Sequence, residues 1–170
     1  MSIEYINRSW LEENDCFGCG HLNDHGLKIT VFRDTDDKTR LLGQLEAKPY
    51  MTGFPGMMHG GVLYTALDCL ASWTPTVLRA EMKAAWVLQS SNIRYLRPAL
   101  QVGTIDLSAM IRTEGAVGQA LVVQAEARDE SGALLVRGCF KMLPLSADRF
   151  KKVAGLQDIP ESLRHLLGEI

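Results

Sequence analysis

The spacing of apolar residues changes twice along the chain. Apolar and polar residues alternate over residues 27–33 and 39–47, which predicts two antiparallel strands joined by the turn DTDDK. Residues 60–78 are almost wholly apolar and open with two glycines, so we expect a buried helix running to about Trp73. Pro75 should bend or end this helix before a final turn over residues 79–83.

After this helix the period returns to two. Four runs predict strands joined as a meander, over residues 85–96, 104–112, 119–129 and 134–143. We also expect a helix over residues 2–14 and one or two short surface helices after Ser146, in 148–152 and 160–167. Two strands, a long apolar helix and four strands predict a mostly antiparallel sheet wrapped around the helix.

Composition and charge exclude several classes of function. The chain has 170 residues, enough for one domain, with 46% hydrophobic and 22% charged residues and a net charge of -2. No basic excess would attract nucleic acid or anionic lipid, so neither partner is expected. Early acids at the N-terminus and four cysteines favour a cytoplasmic protein with reduced thiols. Residues 62–78 are too short and too interrupted for a membrane span.

Candidate chemistry lies in the apolar helix. Gly60 and Gly61 would leave bare backbone N–H groups at its positive end, which suits an oxygen atom that gains negative charge. Asp68 is the only formally charged residue between these glycines and Arg79. A buried carboxylate is usually paired or functional, so Asp68 is either bonded to an arginine such as Arg79 or Arg94, or catalytic.

Several motifs in this order resemble a known family. They are CFGCGHLNDHGL at 16–27, FPGMMHGG at 54–61, NIRYLRPA at 92–99 and DESGALLVRG at 129–138, with Asp68 nine residues after His59. The chain resembles hotdog-fold acyl-CoA thioesterases of the phenylacetyl-CoA and 4-hydroxybenzoyl-CoA thioesterase type. The resemblance implies one α+β hotdog domain over residues 1–170, with an N-terminal helix and cysteine loop (1–26), a core (27–145) and a helical tail (146–170).

The resemblance also implies an architecture and a set of roles. Five or six antiparallel strands would surround one long helix, and two copies would join edge to edge, often doubled to a tetramer. Gly61, with Gly60 beside it, would bind the oxyanion, and Asp68 would act as base or nucleophile. His59 would orient the loop or contact the thioester. The coenzyme A would lie along Tyr95, Leu96, Arg97 and Pro98, and no cofactor is implied.

Helix geometry independently favours a site shared between two copies. At about 1.5 Å of rise per residue, Asp68 lies roughly 10 Å along the helix from Gly61, too far for both to touch one thioester carbonyl. Two helices packed antiparallel about a two-fold axis would bring Gly61 of one copy near Asp68 of the other. The sequence therefore predicts a homodimer or a dimer of dimers.

Two features depart from the family pattern. Family members often carry an Asn or Gln about six residues before the histidine of the HGG motif, where this chain has Thr52-Gly53-Phe54. Many also place a Ser or Thr opposite the acid on the strand after the helix. Here the candidates are Gln89, Ser90 and Ser91.

Basic residues near strand ends are candidates for the coenzyme A phosphates. They are Arg94, Arg97, Arg112 and Lys141. Arg97 is favoured because it ends a strand just before Pro98, and arginine pairs well with phosphate oxygens.

The pair Cys16-x-x-Cys19, followed by His21 and His25, raises the question of a metal site. Tetrahedral zinc sites usually draw on two separated pairs of ligands, whereas these four residues lie within ten positions. We therefore predict no metal, with the cysteines as small buried groups that fold a turn under the helix.

Three functions remain open on the sequence. The first is a thioesterase for the acyl-CoA ester of a small, medium-chain or aromatic acid. The second is a non-catalytic protein that binds acyl-CoA or a small apolar ligand, which the missing loop amide favours. The third is a hotdog dehydratase, which is weakened because Gly53 stands where that enzyme needs a histidine.

Overall fold

Six antiparallel strands form one sheet that curves around a single long helix. The computed structural model describes residues 3–113 and 118–169. Its helices are α1 (Ile6–Ser9), α2 (Gly60–Leu78), α3 (Ala147–Ala154) and α4 (Glu161–Leu167). Its strands are β1 (Thr30–Arg33), β2 (Arg40–Glu46), β3 (Ala85–Tyr95), β4 (Thr104–Thr113), β5 (Leu121–Arg128) and β6 (Leu134–Leu145). Short 3₁₀ turns at Pro49–Met51 and Ala80–Met82 flank α2.

Helix α2 fills the concave side of the sheet, as the sequence predicts. It packs against β2, β3, β4, β5 and β6. The buried residues of α2 recur at helical spacing and include Leu63, Ala66, Leu67, Leu70 and Ala71. They face the alternate buried residues of the strands. The α+β architecture expected from the order of elements is therefore confirmed, with six strands.

Pro75 does not end the helix, contrary to the expected boundary near Trp73. Helix α2 runs 19 residues to Leu78, and the Arg79 N–H donates to the Pro75 carbonyl at 2.9 Å. Side-chain hydroxyls reinforce the backbone around the proline: Thr74 Oγ1 donates to the Leu70 carbonyl at 2.7 Å. Pro75 is also buried, so packing against the sheet offsets the hydrogen bond that its missing N–H removes.

The predicted four-strand meander is wrong for its first strand. Strands β4, β5 and β6 are consecutive neighbours, but β3 pairs with β6, giving the order β1-β2-β4-β5-β6-β3. Strand β4 lies beside β2 instead, so the segment 96–103 is a crossover and not a hairpin. The 11-residue β3 consequently forms one edge of the sheet, with no neighbour on its outer side among the described residues.

The helix expected over residues 2–14 is confined to Ile6–Ser9. Buried asparagines fix the segment around it: Asn7 Nδ2 donates to the carbonyls of Cys19 and Ile29 at 2.7 and 3.0 Å, and the Val31 N–H donates to Asn7 Oδ1. Asn14 Nδ2 donates to the Asn7 carbonyl at 3.0 Å. These amides bond directly to the backbone of the loop that contains Cys19 and to the residues around β1. The N-terminal segment therefore follows that loop, and only one turn of it is helical.

The chain after β6 forms the two short helices α3 and α4 that the sequence predicts. Ser146 caps α3 by accepting from the Arg149 N–H, and Gly155 ends it in the left-handed conformation. Residues 114–117, within the predicted turn between β4 and β5, lie outside the described residues. None of the helices in 3–113 and 118–169 combines the length and the apolar character that a membrane crossing requires.

Candidate functional site

The first turn of α2 is capped by the histidine that precedes it. His59 Nδ1 accepts a hydrogen bond from the Gly61 N–H at 2.9 Å, and the Val62 N–H donates to the His59 carbonyl at 2.9 Å. A ring nitrogen that accepts a hydrogen bond carries no proton, so this contact requires the tautomer of His59 with its proton on Nε2. The N–H that the sequence assigns to the oxyanion is therefore occupied within its own chain, whereas that of Gly60 has no acceptor among the described residues.

The predicted coenzyme A segment lies against this same helix start. Tyr95 Oη donates to the Gly60 carbonyl at 3.0 Å. A Cβ added at Gly60 would lie 3.1 Å from the Tyr95 ring, so the glycine lets the ring cross the helix end. Burial raises the pKa of Tyr95. The segment Tyr95, Leu96, Arg97 and Pro98 lines an open cavity of about 320 Å³ together with Gly60. The rest of its lining comes from Met58, Leu63 and Ala99.

Asp68 faces the middle of β3. Two hydrogen bonds from the same face of α2 bracket it: Tyr64 Oη with Ser91 Oγ at 2.8 Å, and Ser72 Oγ to the Trp86 carbonyl at 2.7 Å. Since Tyr64, Asp68 and Ser72 are spaced four apart, the carboxylate lies between these contacts, opposite a β-bulge at Gln89.

The Asp68 carboxylate has neither a hydrogen bond nor an ion pair with any residue in 3–113 or 118–169. The pairing with Arg79 or Arg94 that would make it a structural acid is absent from these residues. Its pKa is raised, first by burial and then by negative charge on Cys16. A half-buried, unpaired carboxylate in the core of a fold is costly, so this residue is the strongest candidate for chemistry.

The serines expected opposite the acid do not bond to it. Ser91 is engaged by Tyr64, and Ser90 lies opposite Lys141 in the register of β6. Gln89 occupies the bulge between the paired Leu88 and Ser90. All three candidates are exposed. The bulge shifts the alternation of β3 by one residue, which explains why the sequence could not settle the register.

The structure does not gather the four predicted phosphate-binding residues into one cluster. Arg94 lies near the end of β3 and Arg97 just after it, whereas Lys141 on β6 pairs with Ser90, seven residues before Arg97 or about 23 Å along the strand. Arg97 is exposed, and its Nη1 donates to the Leu134 carbonyl at 3.3 Å. Arg112 lies at the end of β4, three places from β3 in the sheet, so it does not join them.

The loop before α2 is held by a residue that the sequence did not single out. Gln101 Nε2 donates to the Lys48 carbonyl at 3.1 Å and also bonds to the Pro49 carbonyl and Thr52 Oγ1. The Gly53 N–H donates to the Met57 carbonyl at 2.9 Å. A Cβ at Gly53 would lie 2.9 Å from the His59 Cα, so the histidine that a dehydratase needs does not fit there.

A cluster of three cysteines lies next to Asp68. Cys69, which follows it on α2, joins Cys16 and Cys19, and the three sulfur atoms lie within 4.8 Å of one another. Cys16 is exposed, contrary to the expected buried turn. His21 and His25 are not part of this cluster. The sequence missed Cys69 because 50 positions separate it from Cys19; its position on the α2 stripe beside Asp68 was the available signal.

The thiols of this cluster perturb one another. Hydrogen bonds from the Cys19 and Cys69 thiols, and from the backbone N–H groups of Cys19 and Gly18, lower the pKa of Cys16. The pKa values of Cys19 and Cys69 are raised, chiefly by their hydrogen bonds to Cys16 and further by burial. Of the three thiols, Cys16 is therefore the one whose pKa is lowered.

Comparison with solved structures identifies the architecture. A thioesterase of Haemophilus influenzae superposes with a TM-score of 0.68 at 18% identity, covering 85% of this chain and 91% of that one. The PaaI protein of the Escherichia coli phenylacetic acid degradation operon gives 0.60 at 18%, covering 71% and 81%. The chain has the hotdog fold. At these identities the likeness to hotdog proteins establishes the fold and not the reaction.

Two further comparisons bear on the hotdog chain. A hypothetical thioesterase of Streptococcus pneumoniae, solved with coenzyme A, gives a TM-score of 0.57 at 18% identity over 66% of this chain and 82% of that one. In sequence, 68 residues are 26% identical to the bovine acyl-coenzyme A thioesterase THEM4, which is 40% of this chain but only 28% of that relative. No family model matches the chain.

Proposed function

We propose that this hotdog protein is an acyl-CoA thioesterase, which hydrolyses the thioester bond between coenzyme A and a small, medium-chain or aromatic acyl group. The observation that carries the proposal is the unpaired Asp68 carboxylate, half-buried on α2 and facing the free edge strand β3. The thioesterases among its structural neighbours, one of them solved with coenzyme A, support the same reaction class.

The proposed chemistry needs an oxyanion donor and an acid. A backbone N–H of the first turn of α2 would stabilise the oxygen that gains charge, and such a donor contributes about 3–4 kcal/mol in other enzymes. Gly61 is the proposed donor, with the substrate oxygen taking the place of His59 Nδ1. Asp68 would either activate water or attack the carbonyl itself, and both routes need the ionised carboxylate.

The proposed site is shared between two copies. In the described part of the chain, no strand lies beside the outer edge of β3, so a second copy can continue the sheet there. Large apolar side chains near the start of α2 are also exposed and would be covered by a partner: Tyr50, Phe54, Leu96 and Leu100. In such a dimer, Gly61 of one copy would meet Asp68 of the other, and a dimer of dimers is compatible with the same pairing.

Coenzyme A is proposed to lie in the cavity formed by Tyr95–Pro98 at the helix start. Exposed Arg97 at its mouth would pair with a phosphate, while the pantetheine arm would lead toward Gly60. The domain division made from the sequence, with residues 1–170 forming one hotdog unit, and a cytoplasmic location remain proposals of the same kind.

Two observations favour a second candidate, a non-catalytic protein that binds acyl-CoA. The Gly61 N–H is already bonded to His59, and no Asn or Gln side chain comes from the loop of residues 52–54. A thioester bound there without displacing His59 would meet no oxyanion donor at Gly61.

A thiol-release assay over a panel of acyl-CoA esters tests the proposal. Short, medium-chain and aromatic esters should be compared, with binding measured on the same panel by calorimetry. Turnover of any ester that disappears in the Asp68→Asn variant supports the thioesterase. Tight binding without turnover of any ester would instead establish the binding protein.

A further inference from the structure

We propose that Cys16, Cys19 and Cys69 form a zinc site that ties the N-terminal loop to α2 beside Asp68. This site does not depend on the thioesterase function. The distance between the Cys16 and Cys69 sulfur atoms is 3.9 Å, and all three sulfurs lie within 4.8 Å of one another. Tetrahedral zinc with bonds of about 2.3 Å to sulfur separates its thiolates by about 3.8 Å. The cluster therefore has the spacing that the ion needs, with small adjustments.

The chemistry of the donors selects the ion. Three thiolates are soft ligands, which exclude magnesium and calcium and favour zinc or monovalent copper. Zinc is the choice for four-coordinate tetrahedral sites and does not change its redox state. Cys16 is exposed, so water can reach the cluster and serve as the fourth ligand.

The loop is shaped to bring its sulfurs to the helix. In Cys16-Phe17-Gly18-Cys19-Gly20, the Gly20 N–H donates to the Cys16 carbonyl at 2.8 Å and closes a tight turn. A Cβ at Gly18 would collide with the Cys69 sulfur, and one at Gly20 would collide with the Cys16 backbone. Both glycines are thus needed for the three sulfurs to approach one another. The loop is therefore specifically shaped to hold the cysteines together.

Neighbouring groups support the thiolates from outside. The Trp73 indole Nε1–H donates to the Cys19 sulfur at 3.2 Å, and Asn14 Nδ2 approaches the same atom at 3.7 Å. Hydrogen bonds of this kind orient metal ligands and stabilise their charge. Trp73 and Asn14 also line a cavity of about 250 Å³ that reaches all three cysteines, so the ion has room for its water.

Titration of the reduced protein with metal tests this site. The protein is stripped with a chelator, kept in a phosphine reductant and titrated with Zn²⁺ by calorimetry, with elemental analysis of the product. We expect one equivalent per chain, release of protons as the thiols ionise, and a higher Tm. Co²⁺ in place of Zn²⁺ should give sulfur-to-metal charge-transfer absorption.

Single substitutions identify the ligands. Cys16→Ser and Cys69→Ser should weaken zinc binding on the order of 100-fold or more, and Trp73→Phe about 10-fold. Cys139→Ser is the matched control and should bind as the parent does, because this fourth cysteine lies on the sheet away from the cluster. Circular dichroism checks that each variant folds; Cys16 is exposed, so its variant keeps the test valid if Cys69→Ser unfolds.

Three results would overturn the proposal. The first is failure of the reduced wild-type protein to bind zinc, including the case in which it binds Cu⁺ alone. The second is zinc binding that survives in both the Cys16→Ser and Cys69→Ser variants. The third is a disulfide among these cysteines in protein purified without reductant, with no metal taken up after its reduction.

Discussion

The first turn of α2 and its middle contrast in how their polar groups are satisfied. At the first turn, the Gly61 N–H bonds to His59, the Gly60 carbonyl to Tyr95, and the Gly61 carbonyl to Thr65. Two turns later, Asp68 has no partner in the described part of the chain. One helix therefore has a first turn whose Gly61 N–H and two carbonyls are bonded within the chain, and a middle whose Asp68 carboxylate has no partner among the described residues.

This difference indicates what each region needs from outside. Apart from the Gly60 N–H, these groups of the first turn are satisfied within one chain, so a substrate proposed to bind at the Gly61 N–H would have to displace His59. The region of Asp68 is completed only by something added, whether water, substrate or a second copy at the edge of β3. The proposed shared site meets both needs, since it brings a helix start to each unpaired acid.

Removing the charge of Asp68 should have the largest effect. Asp68→Asn is nearly isosteric but can act neither as base nor as nucleophile, so kcat should fall on the order of 100- to 10,000-fold in the thiol-release assay. Glu81→Gln, an exposed acid near the end of the same helix, is the control and should keep its activity. A variant of Asp68 that kept half the activity would remove this residue from the mechanism.

Two substitutions at Gly61 distinguish the loss of its N–H from the steric effect of an added side chain. Gly61→Pro removes the donor at a position where the first helical turn tolerates proline, and kcat should fall roughly 100- to 1,000-fold. Gly61→Ala keeps the N–H, although its Cβ would lie 2.9 Å from His59 Nδ1 and displace the ring. The alanine variant should therefore be the more active of the two. Equal losses in two folded variants would exclude the N–H as the donor.

Mixing the two inactive variants tests the shared site. A dimer of one Asp68→Asn chain and one Gly61→Pro chain contains one site with both native groups and one with neither. Free exchange in an equal mixture should restore about a quarter of wild-type activity. The model fails if exchange is demonstrated by mass spectrometry and no activity returns, or if active protein sediments as a monomer.

Arg97 should affect substrate binding more than chemistry. Its proposed phosphate contact is exposed and equally strong in ground and transition states, so Arg97→Ala should raise KM several-fold with little change in kcat. A truncated thioester without the nucleotide should not respond, and Arg112→Ala, three strands away, is the matched control. Similar losses on both substrates would reassign the phosphate contact to Arg94 or Lys141.

The smallest effect should come from the cap itself. His59→Ala removes the acceptor of the Gly61 N–H and should destabilise the fold by about 1 kcal/mol, seen as a lower Tm. It also frees the donor, so kcat should not fall. His25→Ala, in an exposed loop, is the control. Loss of kcat without loss of stability would show that His59 acts on the substrate directly.

The sequence predicted the elements whose pattern is local. The alternating residues of a strand and the apolar stripe of α2 each form a pattern within a few residues, which made β1, β2, β4, β5, β6 and α2 predictable. The order of the motifs then predicted a sheet wrapped around the helix. Asp68 could be singled out because a lone charge in an apolar stripe is visible without a fold.

The errors concern contacts between distant segments. Strand β3 pairs with β6, and β4 takes the place beside β2. No local pattern in the sequence shows which strands become neighbours. The expected N-terminal helix is shortened to Ile6–Ser9, where the buried Asn7 amide bonds to the distant carbonyls of Cys19 and Ile29. Cys69 joined Cys16 and Cys19 only because α2 passes over the loop, so the three-sulfur cluster was invisible in the chain order.

The free edge of β3 has a consequence for how activity depends on dilution. If the site is completed by a second copy along this strand, then the fraction of working sites follows the dimerisation equilibrium and not the amount of protein alone. The same backbone groups that complete the site would attract unrelated strands while they are uncovered. Self-association thus would serve both as a switch set by abundance and as protection for an edge that is otherwise prone to aggregate.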